Sequence, residues 1–145
     1  MFWIDVLSRV VHVATAIVLL GGSVYSLFVV RPVLASQSED NRKALASQLI
    51  KGWKRFVHGG ILLFLASGFY NYFRAMPDHK GDGLYHALVG IKILVGLVIF
   101  FTASALVGRS SSLQVFRHPN GWALKMICIL GFIVVMISGY LKVKP

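Results

Sequence analysis

The chain has 145 residues, 57% of them hydrophobic, with a formal net charge of +10 and a mean hydropathy of +0.73. An apolar share well above that of an ordinary soluble domain argues against a soluble globular fold and predicts an integral membrane protein whose first partner is the lipid bilayer. In a soluble chain such a positive balance would suggest nucleic acid, but here most basic residues flank apolar runs and mark topology, so no nucleic-acid partner is expected.

Four apolar runs lie between charged markers: Val10 to Val30, Phe56 to Phe73, Leu84 to Gly108, and Trp122 to Leu141. Each is near the roughly 20 residues a helix needs to cross the hydrocarbon core. The first is longer than the roughly 7–15-residue core of a signal peptide and has no basic region ahead of it. The prediction is therefore one all-α domain, residues 1–145, forming an integral membrane up-down-up-down four-helix bundle, since short connections favour antiparallel neighbours. Gly21, Gly22, Ser23, Ser67, Gly68, Gly90, Gly96, Gly131 and Gly139 supply small residues for close helix packing.

Between runs one and two, Ser38-Glu39-Asp40 opens a segment that closes on Lys51, Lys54 and Arg55, the charge order a helix dipole favours. With Ala44, Leu45, Leu49 and Trp53 as its apolar stripe, it reads as a short interfacial helix hinged at Gly52. Arg74 to Gly83, with Pro77, Gly81 and Gly83, reads as a turn-rich loop, and Arg109 to Gly121 as the connection on the other face. Arg31, Arg42, Lys43, Lys51, Lys54, Arg55, Arg109 and Arg117 make eight cations on one side. Arg9, Arg74, Lys80, Lys142 and Lys144 make five on the other, so both termini are expected outside, in the periplasm if the membrane is a bacterial inner membrane.

Chemistry is concentrated in histidine. His12 and His86 stand at matching positions in runs one and three, a few residues inside the same predicted face, where an ionisable side chain is costly enough to suggest a function. His12 shares a helix face with Ala16, Leu19 and Ser23, flanked by Thr15 and Ser26, and that face should look into the bundle. Above Gly90, which removes a side chain where a flat macrocycle could approach, His86 could share a heme iron with His12. Arg9, one turn outward from His12, could meet a propionate. Lys92 could pair with a cofactor carboxylate or snorkel toward the interface. His58, beside Gly59 and Gly60, with His118 in the loop before run four, outlines a weaker second heme layer. The bland alternative is that His12 is satisfied by a neighbouring hydroxyl or carbonyl and His86 by interfacial water.

Met76, His79 and His86 form a copper alternative, because thioether and imidazole suit that metal. Met126, Met136 and Cys128 do not share one stripe and read as core packing. No Ser/His/Asp arrangement, phosphate-binding glycine loop or pair of intramembrane carboxylates is evident, which argues against a hydrolase or kinase. Asp5, Asp78 and Asp82 read as helix caps or solvated turns.

His12, Leu20-Gly21-Gly22 and Arg31-Pro32 in run one, Arg55-Phe56 and Ser67-Gly68-Phe69-Tyr70-Asn71 in run two, and Gly90-Ile91-Lys92-Ile93-Leu94-Val95 in run three resemble the copper resistance protein D (CopD) family of small membrane domains. The layout also resembles the HemJ-type protoporphyrinogen oxidases, four-helix membrane proteins associated with heme b, through His12 with Tyr25 and through His86 with Lys92. The resemblances imply heme binding or membrane copper transfer. The expectation is a b-type cytochrome-like protein holding one heme b, or two, through His12 and His86, with His58 in any second layer. It would exchange electrons with a redox partner or quinone or perform a heme-linked oxidoreductase reaction, and it could self-associate as a homo-oligomer. The alternatives are CopD-like copper transfer and a cofactor-free assembly subunit.

Overall fold

A computed structural model describes residues 1–118 and 120–143; Pro119 and Lys144, which figured in the loop and charge readings above, lie outside the described residues. Among the described residues there is no strand. Four helices are long and apolar enough to cross a membrane. We label them α1 (Phe2–Ala35), α2 (Glu39–Ala75), α3 (Gly83–Val107) and α4 (Trp122–Val143).

Helix α1 runs for 34 residues and changes register once, in a π-turn over Ser26–Val30. There the Arg31 N–H bonds to the carbonyl of Ser26, five residues back. The cause is Pro32: it has no N–H to give, and its ring presses on the preceding turn of an ordinary α-helix, so one wider turn relieves the crowding.

Helix α2 differs from the sequence expectation. No interfacial helix hinges at Gly52; residues Glu39–Ala75 form one helix of 37 residues. A single glycine inside a helix costs only about 1 kcal/mol relative to alanine. Next to Gly52, the Trp53 ring seats against Gly22 of α1 and ties this segment to the rest of the molecule. At the far end the helix continues through Arg74 into a short 3-10 turn, Met76–His79, so much of the expected loop is helical.

The side chains are sorted as lipid, rather than water, would sort them. Large apolar residues face outward, including Phe28 at 71% exposure and Leu62 at 69%, while the most enclosed positions carry small ones, such as Thr102 and Ala105 at 1%. A soluble monomer rarely exposes apolar surface on this scale, and close approach over small residues is the usual way membrane helices pack.

Each helix touches its neighbours in sequence, and α1 also touches α4. The α1/α2 seam has a regular register. Asp5, His12 and Leu19, seven residues apart on α1, meet Arg74, Ser67 and Gly60, seven residues apart on α2 in the opposite direction. A seven-residue repeat of contacts is the signature of helices wound at a shallow left-handed angle, in which side chains of one enter gaps on the other. Across the molecule Leu20 fills the gap at Gly131 of α4, and the Arg31 side chain packs against Gly121 just before that helix. Gly121 has φ +67°, a left-handed backbone that a side-chain-bearing residue would hold only under strain.

Candidate functional site

The seam places His12 in the interior. The ring is half-buried, packs against Phe64 with centroids 4.0 Å apart, and leans over Gly68, where a Cβ would come within 3.1 Å of it. Its Nδ1 lies 3.1 Å from the Ser67 hydroxyl oxygen. That hydroxyl has one proton, and it donates it to the Leu63 carbonyl at 2.7 Å. A carbonyl can only accept, so with that proton given to Leu63 the Ser67 oxygen offers His12 a lone pair, which matches the tautomer protonated on Nδ1. Nε2 is then the nitrogen with the free electron pair. A hydroxyl or carbonyl that fixes one imidazole nitrogen and so presents the other is the usual support of a ligating histidine.

Around this group the structure assembles further polar side chains. Lys92 of α3, half-buried, lies within electrostatic reach of His12. Ser8 donates to the Ser67 carbonyl at 3.4 Å, and Thr15 and Ser23, on the His12 side of α1, are buried. Two turns earlier on α1, Asp5 accepts from Arg74 Nε and Nη2, each at 3.0 Å, and from the Tyr70 hydroxyl at 2.8 Å. The sequence reading of Asp5 as a cap or solvated turn is therefore corrected: it joins α1 to α2. Sequence reasoning took Ser67 as a small packing residue and as part of the stretch Ser67 to Asn71 that carries the family resemblance, not as a partner of His12. The seven-residue spacings on both helices were the available signal for Asp5 and Ser67.

His86 occupies a different setting. Its Nε2–H donates to the His79 carbonyl at 3.1 Å, and His79 in turn donates from Nδ1 to the Ala75 carbonyl at 2.9 Å. The His79 ring stacks on Tyr85 at 3.7 Å, and Tyr85 meets His86 edge-on at 5.5 Å. The turn Met76–His79 thus brings His79 and His86 together and leaves His79 Nε2 and His86 Nδ1 as lone-pair nitrogens. Arg9 is exposed and within electrostatic reach of Tyr85. Gly90 is exposed too, and a side chain there would meet nothing within 4 Å.

The structure gives no ring contact between His12 and His86: one is bonded into the α1/α2 seam, the other to the outer turn. His58 and His118 are not brought together either. His58 is exposed and donates to the Lys54 carbonyl at 2.9 Å, while exposed His118 accepts from the Asn120 N–H at 3.4 Å. Among the described residues no group of three or more His, Cys, Asp or Glu side chains is placed to hold a metal ion. Arg117, read as a topology marker, donates from Nη1 to the Gly108 carbonyl at 2.9 Å and from Nη2 to that of Ser110. The Gly108 carbonyl, at the C-cap of α3, thereby gains a side-chain partner.

Comparison with family models, with curated proteins and with solved structures finds no match to this chain.

Proposed function

We propose that this chain is a b-type heme-binding membrane protein serving electron transfer or a heme-linked redox reaction, with His12 as the primary axial ligand. The observation that supports the reading is the Ser67 hydroxyl, which donates to the Leu63 carbonyl, offers its lone pair to His12 Nδ1 and so leaves the lone pair of the imidazole on Nε2. The reading includes an up-down-up-down bundle in a bacterial inner membrane, with both termini outside, the side poorer in cations.

The donor set suits heme in kind. Neutral imidazole is an ordinary axial ligand, and heme would supply one-electron chemistry that the protein tunes through ligand identity and burial. The chain's own part is orientation and charge. Ser67 holds the imidazole plane, Phe64 packs its face, and Lys92 offers an ammonium to a carboxylate in a region where an unpaired charge is costly. His86 has a separate partner in the His79 carbonyl, so the facing-pair arrangement draws no support from contact.

The visible spectrum of protein produced with ample heme and purified in detergent, before and after dithionite, tests the reading. A Soret band that His12→Ala removes is expected; a colourless wild type would overturn it. His86→Ala separates one axial histidine from two, since a shift from low-spin to high-spin bands would add His86 as the second ligand.

The juxtaposition of His79 and His86 favours a second reading, copper held at the outer turn with Met76 at its start. Stoichiometric copper lost on His79→Ala and His86→Ala, in protein that carries no heme, would replace the first reading with this one.

A further inference from the structure

The exposed side of α2 changes chemistry along its length. Lys51, Lys54, Arg55 and His58 are all exposed, and one turn further on the same side Leu62 and then Phe69 are exposed as well. The opposite side, with Trp53, Val57 and Gly60, is the one turned toward the rest of the molecule. A cationic strip therefore passes directly into an apolar one on a helix face that no other helix covers.

The seam register, with His12 opposite Ser67 and Leu19 opposite Gly60, sets the level of these cations. It puts Lys51, Lys54 and Arg55 level with Phe28, Tyr25 and Val24, about 3 to 9 Å by helical rise inside the Val30 end of the apolar run of α1, and the Trp53 ring, reaching back to Gly22, agrees with it. Lys51, Lys54 and Arg55, within one turn of Trp53, consequently stand alongside apolar surface rather than beyond it, where a positive charge needs a counter-charge. Among the described residues no acidic side chain supplies one. Of the chain's five acids, Asp5 is held by Arg74, Glu39 by Lys43 and Asp82 caps the start of α3; Asp40 stands at the distant start of α2 and Asp78 in the turn beyond its other end.

We propose that Lys51, Lys54 and Arg55 bind the phosphate of an anionic phospholipid whose acyl chain lies along Leu62 and Phe69. A phosphodiester supplies the missing negative charge and accepts from ammonium and guanidinium together. The order of the strip, cations and then large apolar side chains, matches headgroup and tail in one molecule. Basic residues at a membrane surface attract anionic lipid in this way, and each contributes separately.

The test uses the full-length protein in a neutral detergent. Native mass spectrometry counts bound lipid after titration with phosphatidylglycerol or phosphatidylcholine of equal chain length. Wild type should retain phosphatidylglycerol in preference, and less of it as salt rises. The triple variant Lys51→Gln, Lys54→Gln, Arg55→Gln should lower retention by about ten- to a hundredfold, whereas Lys142→Gln, near the end of α4, should leave it unchanged. Replacing Leu62 and Phe69 by serine should weaken the lipid without affecting inorganic phosphate. Equal retention of the two lipids, indifference to salt, or a triple variant that binds as wild type does would each overturn the proposal. So would inorganic phosphate or a polyglutamate peptide displacing the lipid equally well with and without the Leu62 and Phe69 side chains, which would mark a free-anion site or an acidic protein partner. The salt series needs no variant and so decides the matter even if the triple variant folds poorly.

Discussion

The two imidazole sites of this molecule use the same chemistry in opposite contexts. At the α1/α2 seam, His12 is fixed by a side chain more than fifty positions away in the chain, Ser67, and the seam in turn is held by Asp5, Tyr70 and Arg74. At the outer turn, His79 and His86 are fixed by backbone carbonyls four and seven residues away. A bond between distant elements survives only if both helices are docked in register, whereas one to a nearby carbonyl needs only the local turn. The seam site is thus coupled to the tertiary fold, and the outer site is largely independent of it.

The strongest way to break the contrast is at His12 itself. His12→Ala should abolish the Soret band of heme-loaded protein while His58→Ala and His118→Ala leave it in place; loss on His58→Ala instead would move the centre to the opposite face. Next in size, Ser67→Ala removes the acceptor of the His12 proton. Leaving a buried donor unsatisfied costs about 1–3 kcal/mol, so the thermal midpoint in detergent should fall, with the heme spectrum broadened. Ser67→Thr, which keeps the hydroxyl, should recover most of both.

Gly22→Leu tests the seam by packing alone. The added side chain collides with the Trp53 ring, and overfilling of this kind costs about 1–3 kcal/mol. The double variant Gly22→Leu with Trp53→Ala should regain part of the loss; a single variant as stable as wild type would show that the ring is not seated there. Smaller again, Arg74→Ala should lower the midpoint slightly, and Asp5→Asn should add little once Arg74 is gone, which a double-mutant cycle reads directly. The smallest effect on stability is expected for His79→Ala, since it removes a local bond and a ring stack at the outer turn. A fall as large as that of Ser67→Ala would erase the distinction between the two sites.

Much of this organisation was legible in the chain, for identifiable reasons. Each of the four apolar runs falls on one helix, and those of α3 and α4 match their helices within a few residues, whereas α1 begins eight residues before its run and α2 seventeen before its own. The inward face around His12 was legible from helical spacing, since Thr15 and Ser23 are indeed buried beside it. The hinge expected at Gly52 was not found, because its outcome rests on Trp53 docking against Gly22, a contact between positions 31 residues apart. Gly90 was read as leaving space beside His86, and it is exposed with nothing within 4 Å of an added side chain.

What the sequence determined by itself is the all-helical character with four helices apolar enough to span a membrane: backbone groups in a bilayer must be bonded within helices or a closed barrel, and unbroken apolar runs near 20 residues suit the helix, whose bonds are local. What only the tertiary structure decided is the use of the histidines. Which nitrogen an imidazole offers depends on the partner of the other, and for His12 that partner is on another helix. The same holds for the cations of α2, whose level beside the apolar run of α1 follows from the seam register and not from their order in the chain.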